Sequence, residues 1–196
     1  AGNLLGAAQS GFITDLGFET YQKILQEAME ELGVEYGISI NKKEESYVTD
    51  CTVETDQIAL IPDNYINITA EKIRIYKELD SISSERELSD MRMRLEDRFG
   101  HIPPELASLF DIVRIRHMAQ KEGFEKVIIK NGILICFFIS NPLSPFYKTS
   151  RFQHVIEMIN SNPLHFELKQ SEGKLKIISR NVNSLSAAFD ILKKLQ

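Results

Sequence analysis

The chain has 196 residues, 43% of them hydrophobic and 26% charged, which is the composition of folded globular domains and excludes a wholly disordered protein. Its two cysteines, Cys51 and Cys136, are too few for a disulfide framework or a metal knuckle, which indicates a reducing compartment. No apolar run approaches the roughly 20 residues that span a bilayer, and no signal-peptide pattern opens the chain. We therefore expect a cytoplasmic protein without membrane association, whose cysteines act as small buried apolar residues.

The net charge of −5 is concentrated at the start of the chain. Residues 1–40 contain six acidic residues and one lysine, so this stretch alone carries −5 and the rest of the chain is balanced. The charged residues of this stretch are Asp15, Glu19, Lys23, Glu27, Glu30, Glu31 and Glu35. Because phosphate neutralisation supplies much of the affinity for nucleic acid, this balance argues against autonomous DNA binding.

The opening phrase, AGNLLGAAQSGF, is rich in glycine but does not form a phosphate-binding loop. Backbone N–H groups beside glycines can bind phosphates, yet the Gly-Lys-Ser/Thr ending that such a loop needs does not follow. The phrase therefore requires another explanation.

Residues 18–32 have the i, i+3, i+4, i+7 apolar spacing of an amphipathic helix, with Gly33 at its C-terminal end. The apolar stripe comprises Phe18, Tyr21, Ile24, Leu25, Ala28, Met29 and Leu32. The opposite face carries Glu19, Lys23, Glu27, Glu30 and Glu31. Such a helix cannot bury its stripe alone, so we expect it to dock on a neighbouring surface. The polar stretch 34–46 that follows is predicted to be a surface linker.

The central part of the chain predicts short extended pieces and then three helices. Ser84 and Glu87 have the spacing of a capping box, Gly100 suits a helix end, and Pro104 suits a helix start. The predicted extended pieces are 46–55 and 57–62, and the predicted helices are 69–80, 84–99 and 103–122.

After Gly123 the pattern changes to strands. Asn131-Gly132 splits two β-rich runs and is a strong hairpin signal, and Glu172-Gly173 marks a second hairpin. Helices are predicted at about 149–160 and at the C-terminus. The order β-β-α-β-β-α predicts a small antiparallel sheet covered by two helices, and with the helical layer before it the chain belongs to the α+β class.

The densest polar cluster is Asp97-Arg98-Phe99-Gly100-His101, and it has two explanations. A small hydrolase could use Asp97, His101 and His117. The ordinary features of a helix end explain the same residues, with Arg94 pairing with Asp90, and we favour this explanation. His154 and His165 lack partners at metal-ligand spacing. We therefore predict no catalytic residue, no metal site and no cofactor in this chain.

Basic residues recur between positions 114 and 130, and Arg114, Arg116 and Lys121 are the candidate interaction surface. This stretch could contact nucleic acid or an acidic partner. Interleaved Glu122 and Glu125 weaken that interpretation, and a solvated helix face is the commoner explanation of such a run.

Two stretches resemble one family. AGNLLGAAQSGF followed by GFETYQKILQEAMEEL is similar to the end of the translocation motif of bacterial transcription-repair coupling factors, which are DNA translocases. The stretch from Leu60 to Gly123 resembles the C-terminal domain of that family, including Ile-Pro-Asp-x-Tyr-Ile at 61–66 and Leu-x-Asp-Arg-Phe-Gly at 95–100. The resemblance weakens after about residue 125.

The resemblance implies a role and partners for the chain. The family's translocation motif couples ATP turnover to strand movement, and its remnant here would be Gly2, Gly6, Gln9 and Gly11. The family pushes RNA polymerase stalled at DNA damage forward with ATP and recruits the damage-recognition subunit of nucleotide excision repair. Its C-terminal domain packs on an N-terminal excision-repair-like domain and hides the recruitment surface, while ATP and Mg are bound elsewhere in the parent protein.

The resemblance also implies a domain division: residues 1–17 as the tail of the translocation motif, 18–45 as a connecting helix and linker, and 46–196 as a C-terminal regulatory domain. The alternative is a freestanding adaptor for protein–protein contacts, unrelated to DNA repair.

Overall fold

The computed structural model describes residues 47–171 and 173–196. It contains five α-helices and five strands in this part of the chain. The helices are α1 (Thr69–Ser81), α2 (Glu85–Phe99), α3 (Pro104–Lys121), α4 (Ser150–Ser161) and α5 (Leu185–Leu192). The strands are β1 (Thr52–Thr55), β2 (Phe124–Lys130), β3 (Ile133–Phe138), β4 (Glu167–Ser171) and β5 (Lys174–Arg180). The glycine-rich opening phrase, the predicted helix 18–32 and the predicted linker 34–46 lie outside the described residues.

The described residues divide into two compact units. The helical unit is residues 58–110, with α1, α2 and the start of α3. The sheet unit is residues 47–57 and 111–196, with the rest of α3, all five strands, α4 and α5.

The helical unit is held by polar contacts from the segment that precedes α1. The buried hydroxyl of Tyr76 accepts a hydrogen bond of 2.9 Å from the Ile61 backbone N–H. The Tyr65 hydroxyl donates to the carbonyls of Leu95 and Gly100, at 3.0 and 3.1 Å. Because these side chains satisfy backbone groups of an irregular segment and of a helix end, they join residues 61–66 to α1 and to the C-terminal end of α2.

The ends of α2 follow the predicted capping pattern. The Ser84 hydroxyl accepts a hydrogen bond from the Glu87 N–H at 3.2 Å, and the Glu87 carboxylate accepts one from the Ser83 N–H at 2.8 Å. At the other end Gly100 has a φ of 87°, a backbone conformation that favours glycine. Both predicted signals are confirmed.

The sheet has the strand order β1-β2-β3-β5-β4. The two predicted hairpins, β2–β3 and β4–β5, are antiparallel, and β3 and β5 join them in the middle. Asn131 and Gly132 both have positive φ, at 53° and 72°, as a tight two-residue hairpin requires.

The α+β class is confirmed, but the sheet is mixed rather than antiparallel. β1 pairs with β2 in the parallel direction, with Val53 opposite Val127. Only four residues of the predicted strand 46–55 are in β1, and the predicted extended piece 57–62 is not a strand. This piece is irregular because its backbone N–H groups form hydrogen bonds outside the sheet. The Leu60 N–H donates to the Glu105 carbonyl, and the Ile61 N–H donates to the Tyr76 hydroxyl.

Alternate residues of β2, β3 and β5 are buried and form one face of the sheet, as Val127, Leu134 and Ile177 do, whereas all residues of β4 are exposed. Phe138 on this face contacts Phe152 of α4, with ring centroids 5.6 Å apart. Phe146 joins the same aromatic cluster, 5.5 Å from Phe152. Helix α4 thus covers part of this face, as helices do in other two-layer domains.

Candidate functional site

The pair α1 and α2 presents an exposed surface of alternating charge. Its members come from both helices, and we call them the helical charge surface: Glu71, Arg74, Glu78, Arg94 and Arg98. Arg98 contacts Glu71 at 2.6 Å, Arg74 contacts Glu71 at 2.7 Å, and Arg94 forms an ion pair with Glu78. The sequence analysis paired Arg94 with Asp90; the structure pairs it with Glu78 of the neighbouring helix. These contacts fix the guanidinium groups without burying them.

The two glutamates are the central members of this surface. Hydrogen bonds from Arg74, with the charges of Arg74 and Arg98, lower the pKa of Glu71 below its ordinary range. The Arg94 and Arg98 side chains are each 59% exposed. A guanidinium has five N–H donors, and the ion pairs leave several of them directed at solvent. The surface can therefore receive carboxylates of a partner.

An apolar floor lies below these charges. A shallow groove is lined by Met91, Leu95 and Phe99 together with Arg74, Glu78, Arg94 and Arg98. The Arg98 guanidinium lies 4.8 Å from the centre of the Phe99 ring, within the range of a cation–π contact. The surface thus combines charge with a small apolar patch, as the contact regions of transient interfaces do.

The sheet unit presents a second surface, on the side opposite the buried face. We call it the open sheet face. Its centre is apolar and half-buried: Ile128, Ile133, Ile135, Phe137 and Ile178. Its rim carries six basic residues, Lys126, Lys130, Lys169, Lys174, Lys176 and Arg180, and two acidic ones, Glu54 and Glu167. Six positive and two negative charges give +4 on this face.

Ion pairs between strands organise the rim. Glu54 of β1 contacts Lys126 at 2.6 Å and Lys130 at 3.0 Å. Hydrogen bonds from these two lysines lower the pKa of Glu54 below its ordinary value of 4.5. Glu167 of β4 contacts Arg180 of β5 at 3.4 Å, and it also contacts Lys169 of its own strand at 2.9 Å. The acidic residues therefore tie the two edge strands to the sheet.

The lowered pKa of Glu54 gives a testable pH dependence. A carboxyl group whose pKa is lower in the folded protein stabilises the fold above its unfolded pKa, and this contribution is lost as the pH falls through the folded pKa. We expect Glu54→Gln to lower the melting temperature at pH 6, and we expect the difference from wild type to diminish as the pH falls below 4.5 and through the folded pKa. Thermal melts followed by circular dichroism at pH 6 and at a series of lower pH values measure this. A difference that persists at the lower pH would contradict the assignment.

The predicted basic surface on α3 is not a single exposed face. Arg116 is buried, with only 5% of its surface exposed, so it cannot belong to a solvated interaction face. Arg114 contacts Asp111 at 3.5 Å and lies 6.0 Å from the Phe189 ring. Lys121 is exposed. Arg116 is buried because it follows Ile112 by four positions and therefore lies on the apolar stripe of α3. A contact role for Arg114 and Lys121 stays a prediction.

The remaining candidates for chemistry are placed as follows. The hydrolase hypothesis needs catalytic residues in an enclosed pocket. Asp97 and His101 are exposed to solvent instead. In the described part of the chain, no group of three or more His, Cys, Asp or Glu side chains could hold a metal ion. Cys51 and Cys136 are buried free thiols, and burial raises the pKa of Cys51 to about 12, so both are poor nucleophiles. Gly2, Gly6, Gln9 and Gly11 lie outside the described residues.

Sequence reasoning missed the open sheet face, although the signal is present. In KVIIK, ILICFF and KLKIISR every second residue belongs to this face, so a period of two would have collected its lysines and isoleucines. The basic stretch 114–130 instead combined residues of α3 with residues of β2, which lie on different elements.

Within the described residues, no helix is both long enough and apolar enough to cross a membrane.

The fold defines an α+β chain with two exposed charged surfaces. The sequence model of the TRCF domain family matches residues 55–149. The matched residues belong to this family.

The sequences of known proteins point to the same family. The chain is 37% identical over 127 residues to the transcription-repair-coupling factor of Bacillus subtilis, over 65% of this chain and 10% of that protein. It is 31% identical over 179 residues to the transcription-repair-coupling factor of Escherichia coli, over 91% of this chain and 15% of that protein. The chain therefore spans a small part of these relatives.

A crystal structure of the C-terminal domain of a transcription-repair coupling factor has the same fold. The TM-score is 0.60 at 21% sequence identity, and the match covers 75% of this chain and 93% of that domain. The predicted family is confirmed for the matched residues, and the chain has the fold of that C-terminal domain.

Proposed function

We propose that the chain is the C-terminal regulatory domain of an ATP-dependent DNA translocase. The translocase displaces stalled RNA polymerase in the bacterial cytoplasm and recruits the damage-recognition subunit of nucleotide excision repair. The domain packs on an N-terminal excision-repair-like domain of the same protein and masks the recruitment surface. DNA, ATP and Mg bind elsewhere in the parent protein. Similarity to proteins named transcription-repair-coupling factor, and to the fold of the C-terminal domain of one of them, supports this proposal.

One observation carries the masking role: the helical charge surface is fixed by internal ion pairs and yet exposed. An occluding contact must be weak enough for a partner to release, because a ligand shifts an equilibrium only by its differential affinity for the two states. Exposed guanidiniums form contacts that are individually weak and sensitive to salt. A docking surface built from Arg94 and Arg98 meets this requirement.

The helical charge surface suits this role better than the α3 stretch. Charge reversal at Arg116 would test whether the domain folds rather than whether it docks, because the Arg116 side chain is buried. Arg94 and Arg98 are exposed, and their replacement removes their ion pairs with Glu78 and Glu71 and the contact of Arg98 with the Phe99 ring. Because neither arginine is buried, we expect a smaller effect on folding than at Arg116.

The test is charge reversal in the full-length translocase. We expect Arg94→Glu with Arg98→Glu to release the domain and to raise basal ATP turnover roughly threefold to tenfold. In the wild type, added salt should raise basal turnover as well, and the variant should have lost this response, since its docking contact is already absent.

The matched control reverses two exposed charges of the same helices outside the groove, Lys77→Glu with Arg86→Glu. We expect its ATP turnover and salt response to equal those of the wild type. Equal turnover in the Arg94 and Arg98 variant and in the wild type would overturn this placement of the contact.

A further inference from the structure

The edge strand β4 directs backbone hydrogen-bonding groups away from the sheet. β4 lies at the end of the strand order and, among the described residues, pairs only with β5. Ser171 and Lys174 are paired beside the two-residue turn, and such a pair exchanges both of its backbone hydrogen bonds. Because hydrogen-bonded pairs alternate along an antiparallel ladder, Lys169 also bonds to β5, whereas Leu168 and Gln170 direct their N–H and carbonyl groups outward. Such an edge can pair with a further strand.

A buried row of side chains ends in an exposed leucine at this edge. Residues in register across the five strands form the row, which runs Val53, Val127, Cys136, Ile177 and Leu168. Val53 is 5% exposed and the next three residues are 1% exposed or less, whereas Leu168 is 40% exposed. The other residues of β4 are exposed as well. A strand added beside β4 would therefore cover the last member of the row.

We propose that a second copy of this chain supplies that strand, and that the β4 strands of the two copies pair antiparallel about a two-fold axis at Leu168. The two Leu168 residues then join their outward N–H and carbonyl groups in a pair of hydrogen bonds. Their side chains lie side by side on the face that α4 partly covers, so the apolar row continues from one copy into the other. Such a contact is isologous, because each copy contributes the same surface.

The charges of β4 match each other in this arrangement. Glu167 of each copy lies opposite Lys169 of the other, with roughly 5 Å between the Cβ atoms. The two side chains are 47% and 46% exposed, so they can reach across the new edge while they contact each other within β4. An axis at Lys169 would instead bring two lysines opposite each other, which is unfavourable. The charges therefore select the axis at Leu168.

The same charges favour a second copy over an arbitrary extended segment. A lysine on an edge strand disfavours pairing with a strand that has no acidic residue opposite it. The chain's own β4 supplies that residue. Because the paired strands have five residues each, the contact is small and we expect a weak dimer. This inference goes beyond the proposed function and does not depend on it.

Sedimentation velocity of the 196-residue chain, at concentrations from about 1 to about 500 µM, tests the proposal. We expect a monomer–dimer equilibrium in the wild type. Leu168→Pro removes the outward N–H and leaves the hydrogen bonds to β5 in place, since proline is tolerated on edge strands. Lys169→Glu places glutamates opposite each other in the dimer. Each variant should raise the dimer Kd tenfold or more.

A charge exchange tests the pairing itself. Glu167→Lys should also weaken the dimer, because lysines then lie opposite each other. A mixture of the Glu167→Lys and Lys169→Glu chains should form a heterodimer more readily than either chain forms a homodimer. The double variant Glu167→Lys with Lys169→Glu should recover the homodimer. If Glu167→Lys unfolds β4, because it removes the contact with Arg180, the Leu168→Pro and Lys169→Glu variants still decide.

The control is Lys148→Glu with Glu157→Lys, which exchanges two exposed charges outside β4 and should leave the dimer Kd unchanged. Circular dichroism melts of every variant verify folding. A wild-type chain that stays monomeric over the whole concentration range would overturn the proposal. A dimer that Leu168→Pro and Lys169→Glu both leave unchanged would also overturn it, because the contact would then lie on another surface.

Discussion

Replacing Gly123 with alanine should destabilise the sheet unit by about 3 kcal/mol, through both backbone strain and overpacking. Gly123 links α3 to β2 with a φ of +81°. A Cβ atom there would lie 2.0 Å from Cζ of Phe146, far inside contact distance. Phe146 cannot easily withdraw, because it is 1% exposed and packs against Phe138 and Phe152. We expect the melting temperature to fall by roughly 10 °C.

Gly173→Ala separates these two causes. Gly173 also has a positive φ, of +74°, but nothing lies within 4 Å of the Cβ position. We expect this control to cost only about 1 kcal/mol, from backbone strain alone. Denaturant titration of both variants measures the difference, and equal losses would show that Phe146 does not restrict position 123.

Arg151→Met should cost about 2–3 kcal/mol, because it leaves a buried carboxylate without its partner. Glu122 is 1% exposed and accepts a hydrogen bond of 2.8 Å from the Arg151 guanidinium. Arg151 itself is 44% exposed, so the loss of its own packing is a minor part of the cost.

The double variant Glu122→Gln with Arg151→Met is the matched control. It removes the charge together with its partner, and we expect it to recover most of the lost stability. Urea unfolding of the single and double variants gives the comparison. A double variant as unstable as Arg151→Met would contradict the role assigned to the buried charge.

Local signals allowed most of the elements to be predicted. Ser84 and Glu87 form caps at the start of α2, and Asn131-Gly132 forms the β2–β3 turn, because these residues act on backbone groups within a few positions. The same applies to the start of α3 at Pro104. Such features depend on neighbouring residues and are therefore readable from sequence.

The errors arise where distant parts of the chain meet. The parallel pairing of β1 with β2 joins residues 74 positions apart, such as Val53 and Val127, and no local pattern specifies it. Arg116 was expected in solvent because it is charged, yet α3 is buried around much of its circumference, at Ile112, Ile115 and Ala119 among others. The partners of Arg94 and Arg98 lie on another helix and depend on helix packing.

The central claim is that this domain restrains the protein of which it is part. The most direct measurement compares basal ATP turnover of the proposed full-length translocase with that of a version lacking residues 46–196, on DNA of the same length. Our account predicts higher turnover after the deletion. Unchanged turnover in the shortened protein would contradict it.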